Sequence, residues 1–482
     1  MMNKTCQTTT YSSEPLRDER LLQRAIDSYG ALLPFRRERE RCKRFTYGDQ
    51  WIDSVVDRGV KISEEEYIKR QGNMPLKNNL IRRLVRNVLG VWRNRSQSSI
   101  IRWRDENEAA QGEQLTRLLQ KIIEENRLDE VYARSMEDFL IGGMVAHKKW
   151  YGMKGGMLTC HTDIVDLNNF FVERSGRDFR GDDITLIGEI HHITFDRLLS
   201  TLSRHPGDRQ RLRRLYGVAQ GMEEDVSCSI YEIWDRRCVD MLACHDRAKG
   251  IYYQTSAENY PEIEEENERR RLVDAPGIAV RYTSREEWRL SIIDQSGRVL
   301  HRCRTPYRHH SHPYVVKAYP YIDGEIHSFV SDIIDQQKLT NRLISMYDWV
   351  LRASAKGVLL FPEGALPDGV DITDIAEEWG RFNGVIVYRP RSGVPLPQQV
   401  SSKSVDIGIT ELLEIQMKMM EDISGVNGAL QGKLDNNSMS GTLYNQQTQN
   451  SLTALADLMC SYEDFVAAAT RKDLDILQQF MM

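Results

Sequence analysis

The sequence of 482 residues contains no long uninterrupted run of apolar residues and no apolar segment near its start. A helix that crosses a bilayer needs about 18 such residues in succession, and a secretory signal peptide needs an apolar centre. We therefore expect neither a membrane span nor a signal peptide. Hydrophobic residues make up 40% and charged residues 28% of the chain, which is typical of a folded soluble protein, and the length allows several domains.

Cysteine is scarce and charge is nearly balanced. Eight cysteines are scattered without any CxxC pair. This is too sparse for a disulfide framework and predicts reduced, mostly packing thiols in a protein assembled in the cytoplasm. The formal net charge of −5 is no sign of nucleic-acid binding, so any contact with DNA depends on local patches.

Catalytic and metal-binding motifs are also missing. The sequence has no GxSxG, HExxH or DxDxDG pattern. The segment from Gly428 to Leu434 superficially suggests a phosphate-binding loop. However, only three residues separate its glycines, and leucine follows Lys433 where serine or threonine must hold Mg²⁺. The histidines around Pro313 lack a cysteine or carboxylate at ligand spacing. We therefore expect no catalytic residue, no metal and no cofactor, which argues against an enzyme.

The sequence does show a change of periodicity along its length. Apolar residues recur at helical spacing over 20–45, 76–94, 108–126 and about 129–145. From about 157 to 327 the pattern alternates with period two, which predicts a β-rich domain. The acidic run at 258–268 inside it is expected to be a solvated loop or helix end. Together these patterns predict an α+β fold.

Residues 404–424 show the most regular helical pattern. An apolar stripe is formed by Val405, Ile409, Leu412, Leu413, Gln416, Met419, Met420 and Ile423. Acidic residues surround it, namely Asp406, Glu411, Glu414, Glu421 and Asp422. One interpretation is an ordinary core helix whose acidic face is exposed to solvent. The other is a helix packed on neighbouring subunits with its acidic face toward a channel.

A second helix, predicted over 330–354, carries two amides in the middle of its apolar stripe. Gln337 and Asn341 occupy these positions, and a buried amide left unpaired costs about 1–3 kcal/mol. Either both side chains form amide–amide or amide–backbone bonds at a helix interface, or both face water.

The segment 75–104 is rich in lysine and arginine, has no acidic residue, and includes Trp92 and Trp103. Basic and aromatic residues together are typical of nucleic-acid binding. Arginine is also the usual residue for ion pairs between subunits, and we favour this second interpretation.

Several sequence markers follow one another along nearly the whole chain. They are Tyr47–Trp51 (YGDQW), Asn78–Arg95 (NNLIRRLVRNVLGVWRNR), Met136–Met144, His312–Tyr314, Asp332–Ser345 (DIIDQQKLTNRLIS) and the Gly/Asn/Ser-rich stretch from Ser424 to Gly441. In this order and spacing, the chain resembles a portal protein of tailed double-stranded-DNA bacteriophages or prophages.

The resemblance implies a portal-like fold with a mixed α/β wing, two long stem helices flanking a small αβ clip, a tunnel loop and a long C-terminal helix. The wing would be residues 1–326, helical to about 156 and β-rich over 157–326. The remaining parts would be the first stem helix 327–354, the clip 355–402, the second stem helix 403–424, the tunnel loop 425–440, and a C-terminal wing helix 441–482 with little or no crown.

The same resemblance implies a non-enzymatic and usually dodecameric ring at the unique capsid vertex of the virion, assembled in the host bacterial cytoplasm. Double-stranded DNA would pass through its channel during packaging and ejection. The expected partners are further copies of this chain, the large terminase, the major capsid protein with its scaffold, and a head-completion or adaptor protein, with no membrane involved.

The resemblance also suggests roles for individual residues. The tunnel-loop groups nearest DNA would be Lys433, Asn436, Asn437 and Ser438, and the channel face of the stem would carry Asp406, Glu411 and Glu414. Stem packing would involve Ile409, Leu412, Leu413, Met420, Gln337 and Asn341. The clip residues facing the motor would be Asp374, Glu377, Glu378 and Arg381.

Two other classes of function stay open on the sequence alone. A nucleic-acid-processing enzyme or motor subunit would need the nucleotide and catalytic motifs that are missing. A non-viral scaffold or adaptor ring would share the interfaces of a portal, but it would lack a central channel wide enough for a duplex.

Overall fold

The computed structural model describes residues 16–480 except for 72, 95–108, 155, 174–177, 179–180, 204–205, 220, 223–225, 320, 323, 357, 363–364, 367–368, 381–384, 391–392, 394, 401–407, 429 and 431–440. The chain divides into two compact units. The first comprises Met1–Lys43, Val85–Ser331 and Thr448–Met482, and the second comprises Arg44–Leu84 and Asp332–Gln447.

Helices occur in both units and alternate with strands along the chain. In chain order they are α1 (Glu19–Ala31), α2 (Leu33–Thr46), α3 (Glu64–Arg70), α4 (Leu80–Asn94), α5 (Ala109–Glu125), α6 (Leu128–Gly142), α7 (Phe195–Leu202), α8 (Pro206–Tyr216), α9 (Tyr260–Leu272), α10 (Ile334–Lys356), α11 (Ile372–Gly380), α12 (Ile409–Ser424), α13 (Gly441–Ala454) and α14 (Ala456–Phe480).

The strands are mostly in the first unit. In chain order they are β1 (Ser54–Asp57), β2 (Val60–Ser63), β3 (Met144–Lys154), β4 (Met157–Ile164), β5 (Phe170–Glu173), β6 (Leu186–Thr194), β7 (Ser227–Asp246), β8 (Ile251–Ser256), β9 (Ile278–Asp294), β10 (Val299–Arg304), β11 (Tyr314–Ala318), β12 (Tyr321–Ile322), β13 (Glu325–Ile326), β14 (Val358–Leu360) and β15 (Gln398–Val400). A mixed α and β fold is therefore confirmed.

A six-stranded antiparallel sheet dominates the first unit, with strand order β10-β9-β7-β6-β5 and with β8 on the far end of β7. β7 and β9 pair along 17 positions, from Ile230 opposite Asp294 to Asp246 opposite Ile278. Because β6 reaches only to Asp235 of β7, the far ends of β7 and β9 project beyond it and carry β8 alone. A second sheet has the order β11-β3-β4.

The helix α14 packs on β3 and β11 in the first unit. Its apolar face is buried through Met459, Tyr462 and Phe465, as the sequence predicts. The Lys149 ammonium lies 2.6 Å from the Asp473 carboxylate, and both side chains are buried. Burial alone would lower the pKa of Lys149, but the charge of Asp473 outweighs it and holds the pKa above its usual value, so the buried Lys149 side chain stays protonated.

Two boundaries in the first unit differ from the sequence prediction. The β region begins at Met144 instead of about 157, because Gly143 takes a φ of +72° and ends α6. The acidic run at 258–268 begins in a 3₁₀ turn over Ala257–Asn259 and continues into the N-terminal part of α9, so of its two predicted alternatives the structure shows the helix end. The C-terminal helix is interrupted at Leu455, where α13 ends and α14 begins.

The cysteines follow the prediction only in part. Free thiols are found at Cys42, Cys160, Cys228, Cys238, Cys244 and Cys460. Four of these six are buried and pack as apolar groups, as expected. Cys303, in contrast, is disulfide-bonded, so the expectation that all thiols are reduced was wrong at this position.

In the second unit, helices form at both segments that the sequence predicts. The first is α10, which begins at Ile334 after a 3₁₀ turn over Ser331–Ile333. The second is α12, whose described part begins at Ile409, and left-handed glycines flank it at both ends, Gly408 with φ of +66° and Gly425 with φ of +67°. Between the two helices lie the antiparallel pair β14 and β15 and, between those strands in the chain, α11, as expected for a small αβ segment.

Candidate functional site

The helices α10 and α12 lie against each other in the second unit and form its most distinctive feature. Near the start of α10, Ile334, Gln337, Thr340 and Asn341 are all buried. Toward its end the large apolar side chains become exposed, namely Met346, Tyr347, Trp349 and Leu351. The helix therefore has one end inside the subunit and one end with an apolar surface that this chain does not cover within its described residues.

Gln337 uses both ends of its amide at the start of α4. Its Oε1 accepts hydrogen bonds from the backbone N–H groups of Leu80 at 2.9 Å and Ile81 at 3.2 Å. Its Nε2 donates to the carbonyl oxygen of Asn78 at 2.7 Å and to Asn341 Oδ1 at 2.9 Å. Two of the backbone donors at the N-terminus of a helix, which lack partners inside that helix, are thus satisfied by α10.

Asn341 extends the same network to the YGDQW segment. Its Oδ1 accepts from the Asn78 backbone N–H at 3.1 Å, and its Nδ2 donates to Gln50 Oε1 at 2.7 Å. Gln50 in turn donates to the Phe45 carbonyl at 3.0 Å and to Asn79 Oδ1 at 3.1 Å. The prediction of amide–amide and amide–backbone bonding is therefore confirmed, and the alternative that both amides face water is wrong.

Asn79 explains why an asparagine precedes α4. Its Oδ1 accepts from the backbone N–H of Arg82 at 3.0 Å, which is the N-cap bond of this helix. Its Nδ2 donates to the Thr46 carbonyl at 2.8 Å. We call the four side chains Gln50, Asn79, Gln337 and Asn341, together with the backbone of Asn78, the amide cluster. Three of the sequence markers, far apart along the chain, meet in it.

An ion-pair group lies on the same side of α10 and was not found by sequence reasoning. The buried carboxylate of Glu64 accepts from Arg342 Nε at 2.8 Å, and Lys338 Nζ lies 3.8 Å from it and 2.5 Å from Asp53. Lys338 and Arg342 are four residues apart and therefore share a helix face. In the sequence, only this four-residue spacing could have indicated the group, because the carboxylates lie far away along the chain. Asp53 directly precedes β1, and Glu64 begins α3.

The stripe on α12 is only partly buried within the chain. Ile409 and Met420 are buried, Leu413 is half-buried, and Leu412 is 46% exposed. Ile415, Met419 and Ile423 are also close to half exposed. Among the described positions of the stripe, the interpretation as an ordinary core helix therefore fits only Ile409 and Met420, while Leu412 keeps 46% of its surface exposed. Val405 lies outside the described residues.

The acidic positions of α12 lie on its exposed side. Glu411 and Glu414 are both exposed, and neither has an ion-pair partner among the described residues. Asp406, the third residue assigned to the channel face, lies outside the described residues. α12 thus presents unpaired negative charge beside uncovered apolar surface.

Three of the four residues predicted to face the motor lie on α11. Asp374 and Glu377 are exposed and Glu378 is half-buried. Asp374 Oδ2 accepts from the Asp371 backbone N–H at 3.0 Å, so it acts locally at the start of α11. Arg381 lies outside the described residues.

The four residues predicted to form the tunnel loop, Lys433, Asn436, Asn437 and Ser438, also lie outside the described residues. The structure does describe the chain on both sides of them. Val426 is fully buried, and Asn427 Nδ2 donates to the carbonyl oxygen of Gln447 in α13 at 3.0 Å. This bond joins the two sides of the loop at its base.

The described residues contain no group of three or more metal-ligating side chains, and no helix among them is long and apolar enough to cross a bilayer.

Comparison with known proteins identifies the family. The model of the phage P22-like portal protein family matches residues 22–482, nearly the whole chain. No curated protein matches the chain. The chain therefore belongs to the phage P22-like portal protein family, whose members are structural proteins that form a homo-oligomeric portal at a capsid vertex.

Proposed function

We propose that copies of this chain close into a ring, with twelve as the expected number, and that α10 and α12 line its channel as the stem. The observation that carries this proposal is the surface of the two helices. In a single chain they expose a row of large apolar side chains, such as Trp349 at 54% and Leu412 at 46%. Exposed apolar patches of this kind mark protein interfaces, and in a homo-oligomeric family the covering surface is the next subunit.

The mechanism is passive conduction of double-stranded DNA. Glu411 and Glu414 are exposed and free of ion pairs among the described residues, and in a ring each would be repeated in every subunit. Negative charge along the channel repels phosphate, so that DNA slides instead of binding. Arginine or lysine in these positions would have the opposite effect, because several phosphate contacts together bind tightly at low salt.

The tunnel loop would contact the DNA inside the channel, and the clip would bind the proteins that dock on the ring. We assign Lys433, Asn436, Asn437 and Ser438 to the contact with DNA, on the grounds of their polar, glycine-rich sequence. Asp374, Glu377, Glu378 and Arg381 are assigned to the docking of the large terminase during packaging and of the head-completion protein afterwards. The terminase would supply the energy, and the major capsid protein with its scaffold would hold the wing.

Negative-stain electron microscopy of the purified full chain tests the ring directly, with end-on views sorted by symmetry. Closed rings with a bore wide enough for a duplex are the expected result. Compact particles without a channel would contradict the proposal and return the scaffold and enzyme alternatives to consideration. An ATPase and nuclease assay on the same sample should give no activity above a buffer control.

A further inference from the structure

The far ends of β7 and β9, together with β8 and α9, form a projecting element that we call the arm, residues 239–286. α9 covers one face of its three-stranded sheet, where Ile263 packs on Leu242, Cys244 and Ile278. Asn267 also exchanges two hydrogen bonds with the backbone of Ile278, at 2.9 and 2.6 Å. α9 is therefore a fixed layer of the arm.

The opposite face of this sheet is open. Strand register places Gln254, Ala243 and Arg281 in one row across it and Tyr252, His245 and Ala279 in the next. Together they line a hollow of about 700 Å³. Tyr252 is 77% exposed, and its ring stacks on His245 with centroids 4.0 Å apart. The hollow thus offers an aromatic platform beside a cation.

Charge on this open face has a single sign. The residues of β7, β8 and β9 that point to it between 239 and 285 include Arg281 and Arg285 but no aspartate or glutamate. Neither arginine has an ion-pair partner among the described residues. A cationic face without a counter-charge from its own chain is suited to an acidic partner.

The outer side of α9 carries the opposite charge. Glu262, Glu264 and Glu268 are exposed and make no ion pair with any described residue, whereas Glu265 is already paired with Arg269 at 2.7 Å. At the end of the same helix Leu272 is 89% exposed. Arg271, next to Leu272, is also exposed, so the free charge on this side is three glutamates against one arginine. One arm therefore has a cationic, aromatic-lined hollow on its first side and a predominantly acidic helix with a protruding apolar side chain on its second.

We propose that the arms stack around the ring, so that the open sheet face of each subunit packs on α9 of the next. Complementary patches on opposite sides of one chain form a head-to-tail contact, and such contacts generate closed rings when the rotation between copies closes. Arg281 and Arg285 would pair with the free glutamates of α9, and Leu272 would enter the hollow beside Tyr252. This inference rests on the proposed ring and adds a second interface, separate from the stem.

Cross-linking of the full chain tests the contact. The double variant Gln254→Cys/Glu264→Cys places one thiol on each side of the arm, in a background of Cys238→Ser and Cys460→Ser that removes the two exposed free cysteines among the described residues. With a short bismaleimide we expect a ladder of covalent multimers on denaturing gels. The control pair Gln254→Cys/Thr283→Cys, both on the open face, should give no ladder.

Charge reversal adds a readout that does not depend on cysteine placement. Arg281→Glu in the double-cysteine variant should slow ladder formation at least about fivefold at low salt, because like charges then face each other. Adding Glu268→Arg should restore the rate. Closed rings without a ladder would overturn the arm contact but leave the ring proposal intact. The open face would then have to bind a different partner. A chain that forms no ring would overturn both.

Discussion

At the scale of single residues, buried polar side chains hold the second unit together. Gln337 and Asn341 are completely buried in α10, yet each has partners for both the oxygen and the nitrogen of its amide. A buried amide is costly only when its hydrogen-bonding groups are unpaired. The network links three chain segments with directional bonds and therefore specifies how they meet.

Asn341→Leu removes the acceptor for the Asn78 backbone N–H and the donor to Gln50. We expect the free energy of unfolding to fall by about 1–3 kcal/mol, because buried polar groups lose their partners. Urea denaturation followed by circular dichroism measures this change. The control Leu339→Gln alters a 40% exposed side chain on the same helix and should change stability by less than about 0.5 kcal/mol.

His147 gives a prediction for the dependence of stability on pH. Burial, with a further contribution from the charge of Lys149, lowers the pKa of His147 to about 3, while an unfolded histidine has a pKa of about 6.5. Between these values the folded chain binds fewer protons than the unfolded chain. The stabilisation is therefore fully present above pH of about 6.5 and is lost as the pH falls toward about 3.

Unfolding free energies measured at pH 7 and pH 5 test whether His147 lowers stability as the pH falls. The unsubstituted chain should lose more stability between the two values than His147→Gln, which has no group to protonate at this position. His192→Gln, an exposed histidine on β6, should behave as the unsubstituted chain does. Equal losses in all three proteins would show that His147 does not titrate in this way.

At the scale of elements, α12 shows that the apolar pattern of a single helix does not reveal how much of that face is buried. Its stripe is regular enough for a core helix, yet of the stripe positions that the structure describes only Ile409 and Met420 are buried. A helix face buries only as much surface as its neighbours provide. The partly covered remainder fits a contact with another subunit, as the proposed stem requires.

Leu413→Asp should prevent ring formation. Leu413 is half-buried in the single chain, and in the proposed stem its charged replacement would be fully removed from water without a partner. Native mass spectrometry should show subunits in place of rings. Thr410→Asp adds the same charge at an exposed position of the same helix and should leave the rings unchanged. Rings of normal mass with Leu413→Asp would refute this role.

At the scale of the whole molecule, the proposed function depends on charge repeated by symmetry. The net charge of −5 per chain is small, but it is unevenly spread: among the described residues, Glu411 and Glu414 of α12 and three glutamates of α9 have no ion-pair partner, and neither have the arginines on the open face of the arm. In a ring each group is multiplied by the number of subunits. A single substitution therefore changes the potential of the entire channel or of every interface at once.

The double variant Glu411→Lys/Glu414→Lys should form rings but package DNA more slowly, since a basic channel retains phosphate. Packaging of labelled DNA in a reconstituted assay measures the rate. We expect the defect to diminish as salt is raised, because screening weakens phosphate contacts. Glu411→Gln/Glu414→Gln is the matched control and should have a smaller effect. Normal packaging by the lysine variant at low salt would show that these residues do not face the bore.

The sequence by itself determined the α and β segments, the two long helices of the second unit and the absence of catalytic motifs, because these depend on local periodicity and on short spacings. It also pointed to Gln337 and Asn341 through a polar break in an apolar stripe. Only the tertiary structure decided which groups meet those amides, since Gln50 and Asn78 lie more than 250 positions away along the chain. The same holds for the partners of Glu64. The acidic run on α9 is visible in the sequence, but its place on the side of the arm opposite the cationic sheet face follows from strand pairing between distant segments.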